Sequence, residues 1–95
     1  MGDIINFPAR LGSIATLIVG EPLVADVARA LKDFGTQGAF LAQGLGFWQG
    51  QAETATLIKI DGLRFPAILD LAASLKETFK QDAVLVEYNG EAYLV

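Results

Sequence analysis

In this chain of 95 residues, the segment from Gly44 to Thr54 has the residue types and spacing that most resemble a functional site. Three of the ten glycines fall within seven positions there, at Gly44, Gly46 and Gly50. Backbone N–H groups of such a loop can hold an anion. The phosphate-loop and dinucleotide fingerprints need other spacings, and no Lys follows these glycines. The segment therefore favours a bulged hairpin over a phosphate site.

Trp48, the only tryptophan, lies inside this segment, and Glu53 follows near the start of an apolar strand. An exposed Trp in a turn is typical of a contact residue, whereas a buried one would cover the end of a sheet. Glu53 is a general-base candidate without an evident partner acid. The candidate binding residues are this hairpin and the junction after the second helix: Phe47, Trp48, Gln49, Gln51, Glu53 and Gln81.

The composition excludes whole classes of active site. The chain has no Cys and no His, which removes thiolate nucleophiles, Ser-His-Asp triads, zinc fingers and ordinary catalytic zinc sites. No carboxylate spacing matches a calcium loop. The sequence predicts no catalytic residue, no metal and no cofactor, and therefore a protein that is not an enzyme.

Charge and hydropathy limit the partners. Seven basic and eleven acidic residues give a net charge of −4, which argues against direct nucleic-acid binding. No apolar run reaches the ~20 residues that a membrane span needs, and no secretory signal is evident. We expect a cytoplasmic protein in a host cell, formed by an arm over residues 1–12 and one domain over residues 13–95.

Periodicity predicts the elements of that domain. An apolar run over 13–19 predicts a central strand covered on both faces. Apolar stripes at helical spacing predict helices over 23–34 and 66–81. Further strands are expected over 38–47 and 52–60. Asn89-Gly90 favours a type I′ turn that joins a strand over 83–88 to one over 91–95.

The element order predicts an α+β fold. It is a ferredoxin-like split β-α-β arrangement (β-α-β-β-α-β) with an added C-terminal strand, an antiparallel sheet and two helices on one face. Helices on one face leave the other open, so a second copy could cover it. The interface residues expected for a homodimer lie on the terminal strands: Val84, Val86, Tyr88, Tyr93 and Val95.

Two stretches of the chain share a pattern with other sequences. They are Gly46-Phe47-Trp48-Gln49-Gly50-Gln51-Ala52-Glu53 and Phe79-Lys80-Gln81-Asp82-Ala83-Val84-Leu85. They resemble small uncharacterised phage and bacterial proteins of ferredoxin-like type, with a G-x-[YFW]-x-G-x-x-E hairpin and a later [FY]-x-Q-[DE]-[AS]-V-L junction. Thr54 directly follows Glu53, where the pattern has one residue between. The resemblance implies a phage or prophage setting and no chemistry.

Three functions stay open at the level of sequence. The first is a non-enzymatic accessory factor or inhibitor of a host defence complex, which binds a host or phage protein through the Trp48 hairpin or by strand pairing at the edge of the last strand. The second is a self-associating structural protein. The third is a small-ligand-binding domain or enzyme that uses Glu53 and the glycine hairpin.

Overall fold

The computed structural model describes residues 12–95, which form one five-stranded antiparallel sheet and two helices. The predicted arm over residues 1–12 lies outside the described residues except for Gly12. The elements are β1 (Ile14–Gly20), α1 (Val24–Phe34), β2 (Phe40–Trp48), β3 (Gln51–Asp61), α2 (Phe65–Thr78), β4 (Leu85–Tyr88) and β5 (Glu91–Leu94). The sheet order β2-β3-β1-β4-β5 confirms the ferredoxin-like fold with an added strand.

One face of the sheet carries the core. Alternate residues of β1, namely Ala15, Leu17 and Val19, are buried beneath the helices. Their neighbours Ile14 and Ile18 lie on the other face, and Ile14 is 61% exposed. The prediction that β1 is covered on both faces is therefore wrong for the described part of the chain. We call the uncovered side the open face.

Both helices pack on the covered face through the predicted stripes. Val27 and Leu31 of α1 are buried, and α2 buries Ile68, Leu71, Ala72 and Leu75. The ends of the α1 stripe, Leu23 and Phe34, are exposed. The α2 helix ends at Thr78, three residues before the predicted end, because the chain turns at Lys80.

The β2–β3 hairpin is longer than predicted and has no bulge. Its pairing runs without interruption from Phe40 opposite Lys59 to Trp48 opposite Gln51. Only Gln49 and Gly50 form the turn, and both have positive φ, as a type I′ turn requires. β1 pairs with β3 only as far as Ala55, so the last residues of the hairpin extend beyond β1 as a two-stranded ribbon.

The β4–β5 hairpin has the predicted turn and register, but the residues expected at a homodimer interface lie on the covered face instead of the open face. Asn89 and Gly90 have positive φ, and Val86 lies opposite Tyr93. The predicted interface residues are on the covered face: Val84 and Val86 are fully buried, and Val95 packs against the core. Tyr88 and Tyr93 pack on Phe65 of α2, with ring centroids 5.1 and 5.0 Å away. Val84 and Val86 therefore cannot contact a second copy, and of the five residues only Tyr93, which is 37% exposed, keeps a large open surface.

Candidate functional site

A groove of about 370 Å³ lies on the open face, at the end of β1. The β2–β3 hairpin forms one wall with Gly46, Trp48 and Glu53. The loop from α2 to β4 forms the other wall with residues 80–83, and Leu85 and Leu94 extend it. Three non-adjacent segments of the chain therefore meet there.

Gly20 and Glu21 form the floor, where β1 ends. A Cβ atom on Gly20 would lie 2.6 Å from Oε1 of Glu53, so only glycine leaves room for that carboxylate. Glu21 has a positive φ of 74°, and its N–H donates to the carbonyl of Thr54 at 2.6 Å. A non-glycine residue in this conformation is strained, and such residues cluster at functional sites.

Local hydrogen bonds hold the turn that follows. The hydroxyl of Thr56, fully buried on β3, donates to the carbonyl of Pro22 at 3.0 Å. Gln43 accepts from the N–H of Val24 at the start of α1 and donates to the carbonyl of Ala55. Because α1 has no side-chain cap at Leu23, Gln43 supplies the bond that this end lacks.

The opposite wall begins with an unusual helix end. The N–H of Gln81 donates to the carbonyl of Lys76, and that of Lys80 to Glu77, in the pattern of a Schellman motif. The left-handed position of that motif is usually glycine, but here it is Lys80, with φ of 53°. The groove is therefore lined by two strained non-glycine residues, Glu21 and Lys80.

Glu53 and Gln81 converge above Gly20. Their Oε1 atoms lie 2.6 and 3.2 Å from the position that a Gly20 Cβ would take. The Gln81 amide nitrogen donates to Oε1 of Glu21 at 3.1 Å and to the carbonyl of Phe79 at 3.2 Å. No group among residues 12–95 donates a hydrogen bond to the Glu53 carboxylate. The Glu53 carboxylate is therefore free to accept hydrogen bonds from a ligand in the groove.

The predicted binding residues are only partly brought together. Trp48, Phe47, Glu53 and Gln81 line the groove, whereas Gln49 and Gln51 lie exposed at the hairpin tip and do not. The sequence does not predict the floor, formed by Gly20 and Glu21, or the neighbours of Gln81 in the second wall, Lys80 and Asp82. Gly20-Glu21-Pro22 lies between the strand predicted over 13–19 and the helix predicted over 23–34, and nothing in these three residues indicates that a carboxylate packs on Gly20.

The charge of the lining is unbalanced. Among the lining residues of the described range 12–95, Glu21, Glu53 and Asp82 are acidic and Lys80 is basic, which gives three negative charges against one positive. Within residues 12–95, no group of three or more Asp or Glu side chains is arranged to hold a metal ion. The net negative charge of these lining residues favours a positively charged ligand over an anion.

Solved structures with the same fold include a lyase and a PII-like protein. A phage SAM lyase in its apo state superposes with a TM-score of 0.67 and 24% identity, over 95% of both chains. CPII, a nitrogen regulatory PII-like protein from Thiomonas intermedia bound to ADP, AMP and bicarbonate, gives 0.58 and 12%, over 87% of this chain and 90% of the other. No family model matches the chain, and no curated protein matches it. These likenesses support the ferredoxin-like fold.

The comparison also overturns one prediction. The sequence, without His or Cys, led us to expect a protein that is not an enzyme. A chain of the same fold, matched over 95% of its length, is a lyase, so that expectation is wrong. The absence of His and Cys excludes mechanisms that use those side chains, and it does not exclude catalysis by other groups. Neither helix of residues 12–95 has the length and hydropathy to cross a membrane.

Proposed function

We propose that this chain is a phage-encoded enzyme that binds S-adenosylmethionine in the groove beside Trp48 and cleaves a carbon–sulfur bond at the sulfonium centre. The observation that carries the proposal is the position of Glu53. Its carboxylate extends from one wall to a position directly above the floor of a negatively charged groove, where no group of residues 12–95 bonds to it, in a fold shared with a phage SAM lyase.

The charge of the groove fits a sulfonium ion. The sulfur of S-adenosylmethionine carries a permanent positive charge, which the carboxylates of Glu21, Glu53 and Asp82 attract. Trp48 adds an aromatic ring, on which an adenine can stack or over which a cation can lie. Leu85 and Leu94 supply apolar surface to the other wall.

Cleavage of this carbon–sulfur bond needs few catalytic groups from the protein. When the carbon–sulfur bond breaks, its electron pair stays on sulfur and a neutral thioether leaves, so no general acid has to protonate it. The carbon that was bonded to sulfur forms its new bond in one of two ways. Either the substrate's own carboxylate forms a new carbon–oxygen bond and gives a lactone, or a carboxylate base removes a neighbouring proton and gives an alkene. A chain without His or Cys can support either route.

The test is direct. Purified protein is incubated with S-adenosylmethionine, and the adenosyl thioether is followed by liquid chromatography against a buffer control, because the substrate also decays slowly alone. We expect thioether to form faster with protein, in proportion to its concentration. The proton NMR spectrum of the other product distinguishes a lactone from an alkene. Decay at the buffer rate, with circular dichroism showing folded protein, would contradict the proposal.

The likeness to the PII-like protein raises a second ligand class, which the groove does not favour. ADP and AMP carry phosphate anions, and CPII is bound to both. From the described part of the chain, the groove has one basic side chain in its lining, Lys80, against three carboxylates. We therefore expect ADP to bind more weakly than an adenosyl sulfonium compound, and competition between them measures the difference.

The interactions expected from the sequence stay predictions, as does the cytoplasmic location. A host or phage protein could bind the exposed end of the β2–β3 hairpin, where Leu45 and Phe47 are 79% and 77% exposed. A second copy could cover the open face. Capture of one partner by the wild type but not by a Phe47→Ser variant would support the first, and light scattering tests the second.

A further inference from the structure

We propose that Glu53 and Gln81 form a subsite for a primary ammonium group, so that the ligand of the groove is an amino-acid derivative and not a nucleoside alone. This inference rests on the proposed function and adds the group that fixes the ligand's orientation. It follows from the hydrogen-bonding capacity of three side chains.

The orientation of the Gln81 amide is the first step. Its Nε2 atom has two hydrogens, and both are used: one bond goes to Oε1 of Glu21 and one to the carbonyl of Phe79. Rotating the amide by 180° would place its oxygen against two other oxygens and lose both bonds. Oε1 of Gln81 is therefore the atom that points to the space above Gly20, which Oε1 of Glu53 also approaches.

The second step is the meeting of two acceptors. Oε1 of Glu53 and Oε1 of Gln81 both lie within 3.2 Å of one point above Gly20. An ionised carboxylate and an amide carbonyl cannot bond to each other, because neither has a hydrogen to donate. No group of residues 12–95 donates to Glu53, so the protein supplies no donor that bridges the two acceptors near this point. A donor that bridges them relieves this arrangement.

The third step identifies the donor. An ammonium group has three hydrogens and a positive charge, and it satisfies both oxygens and partly neutralises the groove. The lysine of the lining, Lys80, forms no ion pair with a carboxylate among residues 12–95. The ligand's own ammonium therefore fits the subsite, and S-adenosylmethionine carries one on its amino-acid portion.

The experiment compares two ligands that differ in that one group. S-adenosylhomocysteine is a stable thioether with the ammonium, and its deamino analogue has hydrogen in its place. Calorimetric titration should show that the wild type binds the first at least about tenfold more tightly, the usual effect of a charge-assisted hydrogen bond. Equal affinities would overturn the ammonium subsite and leave the proposed function standing. Binding of neither ligand would contradict both.

Variants assign the preference to the two residues. Glu53→Gln and Gln81→Leu should each remove most of the preference for the ammonium ligand. Gln51→Leu is the matched control, because Gln51 is exposed at the hairpin tip and does not line the groove. An unchanged preference in Glu53→Gln would overturn the proposal.

A stability measurement distinguishes a ligand role from a structural one. In Glu53→Gln the new amide can donate to Oε1 of Gln81, so the two acceptors no longer face each other. We expect the ligand-free variant to melt at a higher temperature than the wild type. A lower melting temperature would mean that Glu53 holds the fold together, and it would overturn the subsite.

Discussion

The carboxylate of Glu53 packs directly on Gly20, with Oε1 only 2.6 Å from the position that a Cβ atom there would occupy. Gly20 is the last residue of β1, and Glu53 lies on β3, two residues beyond the partner of Gly20 in the sheet. The end of one strand thus creates the space that the acidic side chain of another fills. The shape of the groove floor therefore depends on glycine, which has no side chain, at position 20.

Gly20→Ala is expected to disable the groove and leave the fold intact. The methyl group displaces the Glu53 carboxylate, which is the end of a flexible side chain, so the cost in stability should stay within about 1 kcal/mol. Cleavage of S-adenosylmethionine, measured as kcat/KM, should fall about tenfold or more, the equivalent of ~1.4 kcal/mol in transition-state binding.

Gly44→Ala is the matched control for that variant. Gly44 is also a strand glycine on the open face, but a Cβ there meets no atom within 4 Å. Its activity should equal that of the wild type. If both variants lose activity alike, the effect comes from the strands and not from Glu53, and the assignment of the floor is wrong.

Lys80→Gly should stabilise the protein. Lys80 has φ of 53°, and an L-residue in the left-handed region costs roughly 1–2 kcal/mol, which exceeds the 0.5–1 kcal/mol of added backbone entropy that glycine brings. We expect a gain of about 0.5–1 kcal/mol in the free energy of unfolding from urea titration. Lys32→Gly, the same change within the last turn of α1, should lose about 0.5–1 kcal/mol. A loss in both variants would contradict the strain at Lys80.

The sequence predicts the terminal hairpin well because its information is local. Asn89 and Gly90 accept positive φ, and this alone fixes the turn and the register of the strands beside it. The turn of the other hairpin carries Gln49 in place of Asn, a weaker signal. Glycines within its strands instead predicted a bulge that the structure does not contain.

The difference between local and long-range information also explains which residues of the groove can be predicted from the sequence. Glu53 and Gln81 were candidates because of their residue types and their positions beside a turn. Glu21 was not, although its carboxylate bonds Gln81, because the two are 60 residues apart and meet only through the register of the sheet and the end of α2. The side of the sheet that α2 covers was likewise invisible to alternation alone, so Val84 and Val86 were expected at an interface.

Thr56→Val tests the hydrogen bond that holds the turn after β1. Valine keeps the shape of threonine, but the carbonyl of Pro22 loses its donor in a buried place. We expect a loss of about 1–2 kcal/mol in the free energy of unfolding. Thr54→Val is the control, because Thr54 is exposed on the same strand and should change stability by less than about 0.5 kcal/mol. Equal losses would show that the hydroxyl of Thr56 contributes nothing specific.

Two neighbouring residues of β4 test which face of the sheet is covered. Val86 is fully buried beneath α2, whereas Leu85 is 40% exposed on the open face. Val86→Lys would bury an unpaired ammonium and should prevent folding, as judged by circular dichroism. Leu85→Lys places the same charge in water and should fold with a stability within about 1 kcal/mol of the wild type. If both variants unfold, the open face is part of a packed interior, because only burial makes the charge so costly. Light scattering on the wild type and on Leu85→Lys then tests self-association, since a copy packed on the open face would be lost from the variant.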